Sequence, residues 1–281
     1  IGRIISMFSF VTKLYCNYRR YLRNFKPDIV IASSTYPLDI YPAYRIARHY
    51  HAKLIYEVHD LWPLSPMELG GYSKKHPFIR IMQKAEDDCY RYADAVVSML
   101  PKAEEHMREH GLTRDKFHYV PNGIVLSDWN NPKGIPEEHG LLLSKLRAEG
   151  KFIVGFAGAH GIANSLYAVI DAVSSLTEQN VVLVLVGGGQ EKENLIKYAH
   201  KKGVTNVYFL LPINKLAIPN LLKEMDVLYI GLQKQSLFRF GISPNKMFDY
   251  MMAAKPIIQA IDAGNNLVRE ADCGIDVEPD N

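Results

Sequence analysis

Cysteine is scarce in this chain: Cys16, Cys89 and Cys273 stand far apart and are odd in number. Such a set forms neither a disulfide framework nor a zinc spacing, and it fits a reducing cytosol. Long apolar runs are missing too. None approaches the roughly 20 residues of a membrane-spanning helix, and no signal peptide is evident. Charge of one sign is also lacking: the net charge is +3 over 281 residues, too little to argue for nucleic acid. What is present is apolar residue, 48% of the chain. That is enough to bury real cores in two domains of ordinary size.

The pattern along the chain is that of parallel α/β structure. Ile4 to Phe25 reads as a helix made basic by Lys13, Arg19, Arg20, Arg23 and Lys26. It is either a helix that meets anionic lipid or a core helix with a solvated basic face. Strands are predicted at Ile29–Ala32, Leu54–Val58, Ala95–Ser98 and Phe117–Val120, with helices at Tyr41–Tyr50, Ser73–Tyr92 and Pro101–His110 between them. Pro121-Asn122-Gly123 is a turn signal. A polar stretch from Asn130 to Gly150, with one short helix over Leu141–Ala148, reads as a connection. From Lys151 a second alternating set begins, with strands at Phe152–Ala157, Val181–Val186, Val207–Leu210, Val227–Ile230, Ile257–Ile261 and Ile275–Val277. Helices are expected at Ala163–Thr177, Gln190–Lys202, Pro219–Glu224, Pro244–Ala253 and Asn265–Ala271. Two Rossmann-like doubly wound parallel sheets follow. The expected division is 1–125, a connection over 126–150, and 151–281. The chain begins at Ile1 and stops at Asn281 with no element clearly closed, so an internal piece of a longer protein is expected.

Chemistry concentrates in R-F-G-I-S-P-N-K-M-F-D-Y-M-M-A-A-K-P-I-I, Arg239 to Ile258. Ser243 is a candidate N-cap, and Pro244 suits the first helical position. Lys246 and Asp249 stand three apart, on one helix face. A helix start with a lysine favours phosphate. Asp249 lies roughly 9 Å further on at 1.5 Å per residue, a reach that suits ribose hydroxyls. A capped helix with a surface Lys–Asp pair is the alternative. Gly158-Ala159-His160-Gly161 and Gly187-Gly188-Gly189 each follow a strand. Gln190-Glu191-Lys192 breaks the G-x-G-x-x-G pattern, which leaves the second loop as a tight turn. His59-Asp60 follows a strand end, where it is either structural or able to act in proton transfer.

The stretch S-P-N-K-M-F-D-Y-M resembles the donor-binding segment of retaining glycosyltransferases of family 4, which have the two-domain GT-B fold. Together with E-V-H-D-L-W-P-L-S it is similar to the branch that builds bacterial O-antigen and capsule amino sugars. The resemblance runs from about Pro27 onward. In the wider family a Glu-x7-Glu pattern spans this place: Asp249 matches the second, ribose-binding acid, and Gly241 stands where the first would be. The arginine and lysine that hold the donor diphosphate are also absent, His160 and Asn164 lying near their positions.

The resemblance implies sugar transfer, with retention, from a nucleotide sugar, UDP-linked, to a polyprenyl-diphosphate-linked glycan in surface polysaccharide synthesis. It implies His59 and Asp60 as catalytic residues facing the cleft. Gly158, His160, Leu211, Ser243, Asn245, Lys246 and Asp249 would bind the donor. No metal and no cofactor is expected, and no Asp-x-Asp motif lies near the site. The expected place is the cytoplasm, peripheral to the inner face of the plasma membrane. A non-catalytic nucleotide-sugar-binding module and a GT-B sugar-nucleotide epimerase are the rival readings. The piece itself is expected to bind nucleotide and transfer slowly or not at all.

Overall fold

A computed structural model describes residues 2–279; residues 1, 280 and 281, which the expected domain ranges include, lie outside them. The chain divides into two compact units: Ile1–Pro121 with Arg239–Ile242, and Asn122–Phe238 with Ser243–Asn281.

The first unit contains α1 (Gly2–Tyr21), β1 (Ile29–Ala32), α2 (Ile40–Tyr50), β2 (Lys53–Val58), α3 (Leu64–Gly70), α4 (Pro77–Tyr92), β3 (Ala95–Ser98), α5 (Glu104–Glu109) and β4 (Phe117–Tyr119). Its four strands are parallel and run β1-β2-β3-β4. Leu54, Tyr56 and Val58 alternate into one buried face and pack with Ala43 and Ala47 of α2, Cys89 and Tyr90 of α4 and Met107 of α5. The two alanines, one turn apart, let α2 lie close on the sheet. Helix α1 docks on α2 by burying Met7 and Tyr18, and the Arg45 guanidinium stacks 4.3 Å from the Tyr15 ring. Its outer face leaves Ile5 and Phe10 exposed. Helix α3 is not anticipated by the sequence, because two prolines interrupt it. Both stand in or just before its first turn, where an N–H would have no partner anyway. The Trp62–Pro63 peptide that leads into it is cis.

The second unit contains α6 (Leu126–Asn130), α7 (Glu137–Ala148), β5 (Phe152–Ala157), α8 (Leu166–Ser174), β6 (Val181–Val186), α9 (Lys192–Lys201), β7 (Val207–Leu210), α10 (Ile218–Lys223), β8 (Val227–Gly231), α11 (Asn245–Met252), β9 (Ile257–Ala260), α12 (Leu267–Glu270) and β10 (Gly274–Asp276). Its six parallel strands run β10-β9-β8-β5-β6-β7. Residues 126–150, expected as a connection, are largely helical and count with this unit. The chain winds from β5 to one edge and returns to β8, on the other side of β5. A doubly wound sheet opens a crevice at such a switch point, beyond the carboxyl ends of its strands. Here the Gly158 loop leaves β5, and the segment leading to α11 leaves β8.

Two glycine loops interlock at that point. A Cβ on Gly187 would run into the Gly158 carbonyl oxygen, and one on Gly189 into the His160 backbone. His160 N–H donates to the Gly188 carbonyl at 2.8 Å, and Glu191 N–H to the His160 carbonyl at 3.0 Å. The His160 ring is fully buried beneath them, and neither ring nitrogen has a partner among the described residues. Burial, with the charges of Lys192 and Lys246, lowers its pKa to about 4.

Two local expectations are corrected. Ser243 does not cap α11: Pro244 holds the N-cap position, with no side-chain cap bond. The Ser243 hydroxyl is engaged elsewhere, accepting the Asn122 N–H at 2.8 Å, while its carbonyl accepts Asn122 Nδ2. The turn Pro121-Asn122-Gly123 is thus a clamp on the donor-like segment as well as a turn. The helix expected over Ala163–Thr177 starts later, at Leu166, because Ser165 takes a left-handed φ of 45°.

Ala254, where α11 ends, has a φ of 52°, a conformation that glycine adopts freely. Replacing Ala254 by glycine should therefore raise stability by roughly 0.5–1 kcal/mol. An unchanged urea midpoint would show that no strain is held there. His160 gives a pH-dependent expectation. Its folded pKa of about 4 lies below the ordinary histidine value of 6.5, so the unfolded chain takes the proton first. The stability present above pH 6.5 is then lost progressively toward pH 4, by about 3 kcal/mol at most. His160→Leu should flatten that part of the pH–stability curve, as read by denaturant melts at several pH values; parallel curves would count against it.

Candidate functional site

Lys246 lies in the first turn of α11. Its ammonium meets no carboxylate among the described residues. Nζ donates to Asn164 Oδ1 at 2.8 Å and lies 4.2 Å from the centre of the Phe156 ring. A Cβ on Gly158 would stand 3.1 Å from Nζ, so the glycine lets the lysine reach the loop. Burial without a counter-charge lowers its pKa to about 8. Asn164 is itself fixed, donating Nδ2 to the Ala159 carbonyl at 3.0 Å. Such a cation, held ready but unneutralised at a strand-end loop, suits an incoming phosphate. Lys192, by contrast, is occupied: Nζ donates to the Gly187 carbonyl at 2.9 Å and the Leu210 carbonyl at 2.7 Å. It serves the glycine loop, a role its position in Gln190-Glu191-Lys192 does not advertise.

Beside that loop, Gly158, Gly187, Gly188, Pro212, Ile213 and Ile218 line an apolar recess of about 310 Å³. Pro212 belongs to it; Leu211 does not, and the Leu211 carbonyl already accepts His139 Nε2 at 2.9 Å. A second recess, of about 290 Å³, includes Asn245 and Asp249 together with Asp128, Trp129, Lys215 and Pro219. Asp249 Oδ1 accepts the Trp129 indole N–H at 3.3 Å. Burial raises its carboxyl pKa above the ordinary value; the Trp129 bond and Lys215 oppose this, and Asp128 adds to it. Its other oxygen has no bond among the described residues. Trp129 was hidden from sequence reasoning, because it sits in a stretch that reads as a connection. Gly241 has a φ of 96°, which a side chain rarely tolerates, so the backbone itself gives a reason for the missing first acid.

In the first unit, Ser33 and His59 directly follow the adjacent parallel strands β1 and β2. His59 Nε2 lies 2.9 Å from Ser33 Oγ and 3.5 Å from Glu57 Oε2, and Ser33 Oγ donates to that carboxylate oxygen at 2.5 Å. Because the Ser33 hydroxyl directs its one hydrogen to Glu57, its oxygen is left to accept from His59 Nε2–H. His59 stays one-third exposed. Asp60 is turned away from it, accepting from the Ser65 hydroxyl at the start of α3.

The molecule resembles known proteins along most of its length. Residues 5–123 match the glycosyl transferase 4-like domain, and residues 143–279 the domain of glycosyl transferases group 1. "Putative teichuronic acid biosynthesis glycosyltransferase TuaH" of Bacillus subtilis (strain 168) is 24% identical over 215 residues, 73% of this chain and 50% of that protein. The chain thus spans about half the length of that curated relative. The crystal structure of Anabaena Alr3699/HepE in complex with UDP-glucose aligns with a TM-score of 0.62 at 18% identity, over 96% of this chain and 68% of that one. A glycosyltransferase from Rickettsia africae ESF-5 aligns at 0.67 and 16% identity, over 96% and 68%. No helix among the described residues is long and apolar enough to cross a membrane. With both glycosyl transferase domain models matched in order along two parallel-sheet units, the chain has the two-domain GT-B fold.

Proposed function

We propose that the protein to which this chain belongs transfers a sugar from a UDP-sugar to a lipid-linked glycan in the synthesis of a bacterial surface polysaccharide, with retention at the anomeric carbon. The half-buried, unneutralised ammonium of Lys246 carries the reading. The diphosphate would sit on Lys246 at the Gly158 loop, the base over Pro212, Ile213 and Ile218, and the ribose hydroxyls on Asp249. Charge developing on the departing UDP would be stabilised by groups already in place, which is electrostatic preorganisation. No metal and no cofactor enters this reading. Support for the donor comes from HepE, solved with UDP-glucose and with UDP, and for the biological role from the name of TuaH. His59, backed by Ser33 and Glu57, is assigned to the transferred sugar. The outer face of α1, where exposed Ile5 and Phe10 accompany Lys13, Arg19 and Arg20, would rest on a membrane surface from the cytoplasmic side. A non-catalytic nucleotide-sugar-binding module is the competing reading, favoured by Gly241 in place of the first acid and by the missing diphosphate-holding arginine and lysine.

Calorimetry tests the donor site. Lys246→Ala should weaken UDP and UDP-sugar binding by about 1.5–3 kcal/mol, or about tenfold to a hundredfold, and spare uridine. Asp249→Ala should weaken all three. Because the Lys246 pKa is depressed to about 8, UDP binding above that pH should take up a proton in wild type and not in Lys246→Ala. Equal affinities for wild type and both variants would leave an ordinary helix surface. In the full-length protein, His59→Ala should cut transfer strongly with little change in Tm. A proportionate loss of stability and activity would make His59 structural, and binding without any transfer would favour the non-catalytic module.

A further inference from the structure

A second group of chemistry-bearing side chains lies in the first unit, on α4, on α5 and at the residue that caps α5, among residues given no role above. Glu86, His106 and His110 each bring one ligand-capable atom within 4.8 Å of the others. Glu86 is 1% exposed, and no lysine or arginine lies within ion-pair distance of it or of Asp87 among the described residues. Lys84, which could have served them, pairs with Asp88 at 2.9 Å instead. Buried charges are ordinarily paired or bound to metal.

The hydrogen bonding closes only in part: the Tyr90 hydroxyl donates to Glu86 Oε1 at 2.9 Å, but the contacts around Gln83 conflict. His106 Nε2 lies 3.4 Å from Glu86 Oε1, yet it is buried with no hydrogen-bond partner. Gln83 Nε2 stands 2.8 Å from Glu86 Oε2, 3.0 Å from Asp87 Oδ1 and 2.8 Å from His110 Nδ1. An amide nitrogen has two protons. If His110 Nδ1 is unprotonated, three acceptors compete for them; if it is protonated, donor faces donor. Turning the amide over would set its oxygen against both carboxylates. His110 Nδ1 also lies 3.1 Å from Asp87 Oδ1, yet in each of these arrangements a contact of Gln83 stays unmatched, and no lysine or arginine among the described residues pairs with either carboxylate. The rings of His106 and His110 are 4.7 Å apart, one helical turn along the same face. A cavity of about 540 Å³, lined in part by Gln83, Asp87, His106 and His110, gives an ion access.

We propose that Glu86, His106 and His110 bind a zinc-class divalent cation, with Asp87 as a fourth or outer partner and the Gln83 amide moving aside. Two imidazoles and a carboxylate form a donor set suited to Zn²⁺. The ion would tie α5 to α4. The Phe240 ring packs 5.5 Å from that of His106, and Lys102 N–H donates to the Phe240 carbonyl at 2.9 Å. The ion would therefore also steady the support beneath Arg239–Ile242, from which the chain runs directly into Ser243 and α11. The proposal does not depend on the transferase reading.

The test is titration of chelator-treated protein with Zn²⁺ against a chromophoric chelator, paired with Co²⁺ absorption spectroscopy and thermal melts. One equivalent of Zn²⁺ should bind and raise Tm, and Co²⁺ should give visible bands of low coordination number. His106→Ala and His110→Ala should each lose that equivalent and the Tm response, whereas His200→Ala, on exposed α9 surface, should keep both. His110 is only partly buried, so its variant should remain folded, and an unchanged far-ultraviolet circular dichroism spectrum checks this. Absence of stoichiometric binding in wild type, or binding that survives in the His106→Ala, His110→Ala double variant, overturns the proposal.

Discussion

The second unit depends on a contact between two loops that have no side chains to keep them apart. Gly187 and Gly189 lie so close to the backbone of Gly158 and His160 that a Cβ on either would overlap it. That closeness lets main chain hydrogen-bond to main chain at the carboxyl ends of β5 and β6. It seals the His160 ring below and leaves Gly158 facing Lys246 above. The recess at the switch point is therefore lined by backbone and small residues, which suits a flat or anionic ligand more than a bulky apolar one.

Charge placement separates groups that look alike. Lys192 and Lys246 both reach the glycine loops. Lys192 spends its protons on two carbonyls of the protein, whereas Lys246 has one amide oxygen and an aromatic face. The second is the one with affinity to spare, and desolvation lowers its pKa. In the first unit the imbalance has the opposite sign: Glu86 and Asp87 converge with imidazoles, and no lysine or arginine among the described residues lies within ion-pair distance of either. Both places leave a charge incompletely answered by the fold, which is the usual mark of a site built for something else to occupy.

Strand positions were largely legible from the sequence, because continuous runs such as V-V-L-V-L-V are buried on both faces of a parallel sheet and cannot be mistaken for loop. Helices were less so. Pro63 and Pro66 hid α3, the polar stretch before Lys151 hid α6 and the first turn of α7, and Ser165 cut the start of α8. Ser243 looked like a cap because local chemistry favours serine there. Asn122, 121 residues earlier, had the stronger claim on its hydroxyl.

By itself the sequence determined the two parallel α/β sets, the helix that presents Lys246 and Asp249 on one face, and the glycine loops. All of these follow from local periodicity and backbone freedom, which short windows of residues encode. The tertiary structure alone decided which side chains are free. It buried His160, tied Asp60 to Ser65 and Ser243 to Asn122, brought Trp129 to Asp249, and left Lys246 without a counter-charge. It also gathered Glu86 and Asp87 with His106 and His110 from separate helices. Whether a polar group is free depends on its neighbours in space and on the water it has lost, and neither is written in the residues beside it in the chain.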